Sequence, residues 1–120
     1  MLLFFQVILP DQTVYMIDFD SKEEAFFLCA LLNSSPVRML YKAHTFKHVS
    51  MSFITNIFIP KFDASDPLHI RLYQFSELAH RTSDSEKILS IEAQIDKISS
   101  VIWGITEKEL KYIQRELGND

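Results

Sequence analysis

The apolar positions of this chain change period partway along it. Residues 2–9 and 13–18 are rich in β-branched and aromatic side chains. Between them Pro10-Asp11-Gln12 is turn chemistry, because Pro presets its own φ and Asp bonds back to the local backbone. The pattern predicts a hairpin or two sequential strands. Ser21-Lys22-Glu23-Glu24 is then a capping box: the Ser hydroxyl accepts the third helical amide and Glu24 returns to the Ser amide. It opens the longest apolar run of the chain, the eight residues Ala25-Phe26-Phe27-Leu28-Cys29-Ala30-Leu31-Leu32. A helix over 22–33 that is apolar on most sides must be buried on most sides, and the N-terminal strands are the expected cover. Pro36 ends it, since a residue before proline avoids the helical region, and Pro36 can open a short second helix over 37–43. Residues 44–52 are polar and loop-like. Residues 53–60, with Ile54, Ile57, Phe58 and Ile59, read as a strand closed by Pro60.

Beyond residue 63 the period is helical. Asp66-Pro67 is a cap followed by a first-turn proline, and Leu68, Leu72, Phe75 and Ala79 form an apolar stripe. Ser83 and Glu86 read as a second capping box. Ile88, Ile91, Ile95, Ile98 and Ile102 follow at spacings of three and four, a heptad-like seam about two heptads long. An antiparallel hairpin with residues 67–81 suits so short a seam better than a coiled coil. Gly104 stops that helix. Thr106 and Glu109 make a third capping box, and a last short helix turns Leu110, Ile113 and Leu117 inward. The expected fold class is therefore α+β: a small N-terminal β-sheet with a buried helix and a basic loop (1–63), then a C-terminal helical hairpin and a terminal short helix (64–120). At 120 residues this is a single domain or a fragment of a larger protein. The apolar start, with no polar lead-in, fits a piece cut from a longer chain.

Composition narrows the function. Two glycines, Gly104 and Gly118, leave no Gly-rich phosphate loop. No apolar run approaches the roughly 20 residues of a membrane span, and the N-terminus lacks the basic region of a secretory signal. The lone Cys29 has no internal disulfide partner, which suggests a reducing, cytoplasmic setting, and on its apolar helix it reads as a small buried hydrophobe.

Charge is unevenly placed. Residues 1–24 carry one Lys against five acids, and residues 63–120 carry seven basic residues against eleven acids. Residues 25–62 contain Arg38, Lys42, Lys47 and Lys61 and no Asp or Glu. A chain with net charge −4 can still meet a polyanion on one basic face, because screening cuts interactions beyond about 8 Å at physiological salt. Within this window Arg38, Lys42, His44, Thr45, Lys47, His48, Ser50 and Ser52 are the candidate DNA contacts, interleaved with Tyr41 and Phe46. Lysines place charge on phosphates, hydroxyls and imidazoles can bond phosphates or base edges, and aromatics can stack. A solvated loop of ordinary charge would show the same run. His44 and His48 are spaced for one helix face, but no Cys or Glu stands near enough to complete a zinc set. His69 and His80 read as solvated surface residues. Asp18 and Asp20 could pair as acid and base, although turn and capping roles are simpler. No nucleophile–base or metal set emerges, so the chain is not expected to be an enzyme on its own, and no cofactor is expected in it.

One resemblance adds to this. Ser21-Lys22-Glu23-Glu24-Ala25 before Phe27-Leu28-Cys29-Ala30-Leu31-Leu32-Asn33-Ser34-Ser35, followed by Val37-Arg38, is its first part. Ile59-Pro60-Lys61-Phe62-Asp63, Asp66-Pro67-Leu68-His69 and Leu78-Ala79-His80 follow. Ile95-Asp96-Lys97 and Trp103-Gly104-Ile105-Thr106-Glu107-Lys108-Glu109-Leu110 close it. In order and spacing these pieces resemble the C-terminal target-recognition region of adenine-N6 DNA methyltransferases, especially single-chain restriction–methyltransferases, over nearly all the chain from Thr13 onward. The resemblance implies a specificity fragment that binds double-stranded DNA and positions it for a methylase domain of the parent protein, where S-adenosylmethionine would be held. The family's Asn-Pro-Pro-Tyr motif and its cofactor loop are absent from these residues. The competing reading is a protein-interaction module of a restriction–modification complex, a homodimer included, that uses the isoleucine seam.

Overall fold

The computed structural model describes residues 2–6, 14–18, 21–44 and 58–118. Two strands, β1 (Leu2–Gln6) and β2 (Val14–Asp18), pair antiparallel with Phe4 opposite Met16. Among the described residues five helices follow: α1 (Lys22–Leu32), α2 (Ser35–His44), α3 (Pro67–Arg81), α4 (Ser85–Trp103) and α5 (Glu107–Gly118).

The chain is mostly helical, which overturns the α+β expectation of a sheet that carries the buried helix. Among the described residues the two five-residue strands pair only with each other, and α1 packs mainly on α3. A lone two-stranded ribbon is marginal in water, whereas a helix apolar all round is satisfied by any apolar surface, including another helix. The strand expected over 53–60 is not formed at Phe58, Ile59 or Pro60; residues 53–57 lie outside the described residues.

Helix ends follow their local chemistry. The Ser21 hydroxyl accepts the Glu24 amide at 3.1 Å, and Asp66 accepts the Leu68 amide at 2.9 Å ahead of Pro67. Thr106 and Glu109 bond each other's amides reciprocally, at 2.9 and 3.1 Å. At the start of α4, Asp84 and not Ser83 is the cap, with Oδ1 accepting from the amides of Glu86 and Lys87. A carboxylate one residue further on competes well with a hydroxyl, because it also meets the positive end of the helix dipole. Gly104 ends α4 at φ 69°, a left-handed conformation in which glycine carries no Cβ penalty.

The core lies where α1, α3 and α4 meet. Phe27, Ala30 and Leu31 from α1 pack with Leu72 from α3 and with Ile91, Ile95 and Ile98 from α4. The expected α3–α4 hairpin forms, and the isoleucine seam is spent on it. Ile91, Ile95 and Ile98 are buried within their own chain, and Ile88 and Ile102 are partly buried. α5 packs on α2 and α4 and buries Leu110.

Leu72 is fully buried while Leu89 is 65% exposed on α4. Leu72→Ala is expected to cost about 2–5 kcal/mol and Leu89→Ala to stay within about 0.5 kcal/mol of wild type. Urea denaturation of the two variants measures both.

Candidate nucleic-acid interface

The basic window is built from the end of α1 and the whole of α2. Asn33 closes α1 by donating its side-chain amide to the Cys29 carbonyl at 3.0 Å, and the Ser34 hydroxyl donates to the Leu31 carbonyl at 2.6 Å. α2 begins two residues earlier than Pro36 alone suggests, at Ser35. Its first amides need acceptors, and no carboxylate exists between residues 25 and 62 to supply one.

That acceptor is Asp96 of α4. Its Oδ1 accepts the Ser35 amide at 2.8 Å, and its Oδ2 accepts the Ser35 hydroxyl at 2.5 Å and the Gln114 side-chain amide of α5 at 3.0 Å. Asp96 is buried, so its charge is tolerated because three donors and the positive end of α2 converge on it. The window is free of acids in sequence but not in space.

This changes the part played by Arg38. The half-buried guanidinium turns towards the helix start and donates from Nη2 to the Ser35 hydroxyl at 3.3 Å, while Nε is buried without a partner among the described residues. Lys42, one turn on, donates from Nζ to the Glu116 carbonyl in the last turn of α5 at 3.0 Å and remains exposed. The negative end of a helix dipole favours such a cation. Lys61 is exposed on the segment that leads into α3. His44 is the last residue of α2; Thr45, Lys47, His48, Ser50 and Ser52 lie outside the described residues. The structure thus brings Arg38 and Lys42 onto one rigid helix and describes no geometry for the loop candidates.

His69 is corrected from solvated to buried. Its Nδ1 accepts the Asp63 amide at 3.0 Å and Nε2 lies 3.5 Å from an Asp66 carboxylate oxygen, with Phe27 at 4.6 Å and Phe62 at 6.2 Å between ring centroids. An acceptor at Nδ1 fixes the proton on Nε2, so the ring pins the turn before α3. Ser65 hydroxyl and amide donors hold the exposed Asp63 carboxyl below its ordinary range. His80 is exposed, as expected, with Nδ1 2.7 Å from the Ser76 carbonyl and its ring edge-on to Phe26. An ion pair adds to the apolar packing of α1 on α3: Lys22 bridges Glu77 at 2.6 Å, and this bond holds the Glu77 carboxyl low.

One cavity of about 220 Å³ is lined by a thiol, an imidazole, an amide and a carboxylate: Cys29, His80, Asn33 and Glu92. The chemistry of a nucleophile does not follow. Burial pushes the Cys29 thiol up to about 12, opposite to the activation a thiolate nucleophile requires. Among the described residues no three His, Cys, Asp or Glu are placed to hold a metal ion, and no helix is long and apolar enough to cross a membrane.

No family model, curated protein or solved structure matches this chain. The resemblance to the methyltransferase C-terminal region rests on the residues alone.

Three residues escaped the sequence reading: Asp96, Gln114 and buried His69. A signal existed for the first. Glu92, Asp96, Ser99 and Trp103 run at spacings of four, three and four, beside the isoleucine seam, which puts Asp96 at the edge of a buried face.

Two outcomes follow. Asp96→Ala leaves the start of α2 and Gln114 without their acceptor and is expected to cost about 3 kcal/mol, whereas Ser35→Ala keeps the amide bond and costs about 1–2 kcal/mol; a double-mutant cycle in urea should show strong coupling between them. For Cys29, a folded pKa raised above the unfolded value means its contribution is fully present below about pH 9 and is lost as pH rises towards about 12. At pH 8, iodoacetamide should label Cys29 in denaturant and leave it unlabelled in the native protein.

Proposed function

We propose that this chain is a DNA target-recognition part of an adenine-N6 DNA methyltransferase or restriction–methyltransferase. It binds duplex DNA and positions it for a catalytic domain outside these residues, one that flips the target adenine and supplies S-adenosylmethionine. The observation that supports this most is the acid-free stretch of residues 25–62, of which Arg38 and Lys42 lie on α2, a helix anchored at its start by Asp96 and at its end beside α5. Both flanking stretches are net acidic, so a duplex approaching elsewhere meets repulsion.

The same reading divides the work among the candidate residues. Arg38 is drawn into the Ser35–Asp96 network, so its first duty is to the fold. Phosphate contact falls to Lys42, Lys47 and Lys61, and base reading to the polar residues from His44 to Ser52. A cytoplasmic setting belongs to the same proposal.

The test is the salt dependence of DNA binding by the intact protein. Each lysine on a phosphate contributes about one unit to the slope of log K against log salt. Lys42→Ala with Lys47→Ala should lower the slope by about two and weaken binding to all sequences alike. If affinity and slope both stay at wild-type values, the basic window is a solvated face and the proposal fails.

A further inference from the structure

We propose that the cavity where the last turn of α1 meets α3 and α4 binds a small organic cation, a primary ammonium on a short alkyl stem. This site goes beyond the DNA-binding reading and does not depend on it. Its volume of about 220 Å³ is smaller than the roughly 300–1,000 Å³ of a site for a drug-sized ligand. Part of the lining is apolar, with Ala30, Ala79, Ile88 and Ile95, and part is polar.

The polar part favours positive charge on three counts. Glu92, on the lining from α4, is half-buried, and among the described residues no Lys or Arg pairs with it. Its helix neighbours three and four positions away are Ile88, Leu89, Ile95 and Asp96, which include no cation and one further carboxylate. Cys29 and Ala30 bring the last turn of α1 to the cavity, and that turn holds no basic residue. The negative end of the α1 dipole is therefore not answered within its own helix. His80 is the third. The Ser76 carbonyl can only accept, so its 2.7 Å contact with Nδ1 puts the ring proton there. Nε2 of the neutral ring is left as an acceptor.

Donors are scarce by comparison. The Asn33 side-chain nitrogen donates to the Cys29 carbonyl, and among the described residues no Lys or Arg lines the cavity. An anion entering it would meet a carboxylate and no cation. A neutral ligand would leave the Glu92 charge unanswered. Other carboxylates near the core have their partners: Glu77 has Lys22, and Asp96 has Ser35 and Gln114. Glu92 is the exception, and it stands beside apolar side chains that suit an alkyl stem.

The full chain is titrated with n-butylammonium at mildly alkaline pH and followed by amide NMR, with the Asn33 side-chain signal as reporter. That signal should shift saturably. n-Butanol and n-pentanoate carry the same stem without positive charge and should bind at least about tenfold more weakly. Glu92→Gln keeps the shape and removes the charge, so it should weaken n-butylammonium about tenfold and leave the urea midpoint unchanged. Nα-acetyl-lysine N-methylamide presents the same ammonium on a side chain. If it binds as well as n-butylammonium, the site reads a lysine of a partner; if only n-butylammonium binds, the site takes a free amine; both support the proposal. Absence of a saturable shift, equal binding of n-butanol, or wild-type affinity in Glu92→Gln overturns it. Each of these results leaves the DNA reading where it stands.

Discussion

A helix that starts in a stretch without carboxylates must borrow an anion, and α2 borrows it from a residue 61 positions away. Asp96 is buried, and a buried carboxylate is costly unless nearly all its acceptor capacity is filled. Here the amide and hydroxyl of Ser35 and the amide of Gln114 fill it, so one side chain fastens α2, α4 and α5 to each other. Turning α2 away would strand the charge. The other end of α2 is held differently, by Lys42 against the last turn of α5. Helix polarity explains both contacts: an anion at the N-terminus of α2 and a cation at the C-terminus of α5.

The same logic separates the two halves of the molecule. α1, α3 and α4 are joined by apolar packing around Phe27, Leu72 and Ile95, which is non-directional and tolerant of small shifts. α2 and α5 bury Val37 and Leu110 and add directional polar bonds to that core. Directional bonds set an angle in a way that apolar contact does not. Buried His69 repeats the device on the other side, fixing the turn before α3 through the Asp63 amide.

What was legible in the sequence was local. Ser21, Asp66, Gly104 and the Thr106–Glu109 pair act as their neighbours' spacing demands, because a cap is decided within four residues. The seam isoleucines were legible too, since period 3.6 names a buried face. Periodicity does not name what covers that face. That is why α1 could be assigned to a sheet when α3 covers it, and why a module built of helices could be read as α+β. Ser83 and Asp84 show the limit even for caps: two competent residues stood side by side, and only the carboxylate's two amide bonds decide between them. For the candidate site, the charge window was legible as composition and Arg38 and Lys42 as members of it. The Glu116 carbonyl that meets Lys42 lies 74 residues further along, and the Ser35 hydroxyl that meets Arg38 is itself held by Asp96, 61 residues beyond Ser35; neither could be read from the neighbouring sequence.

The spatial position of Asp96 bears directly on how a polyanion would be held. A linear count credits residues 25–62 with four positive charges. In the fold, Arg38 sits one hydrogen bond from the hydroxyl that Asp96 holds, and Lys42 faces the negative end of α5, worth about half a charge in the opposite sense. The potential reaching solvent from α2 is therefore smaller than its composition suggests. Long-range attraction alone would give a weak, strongly salt-dependent encounter. Tighter binding in the proposed reading has to come from short-range terms that screening does not touch.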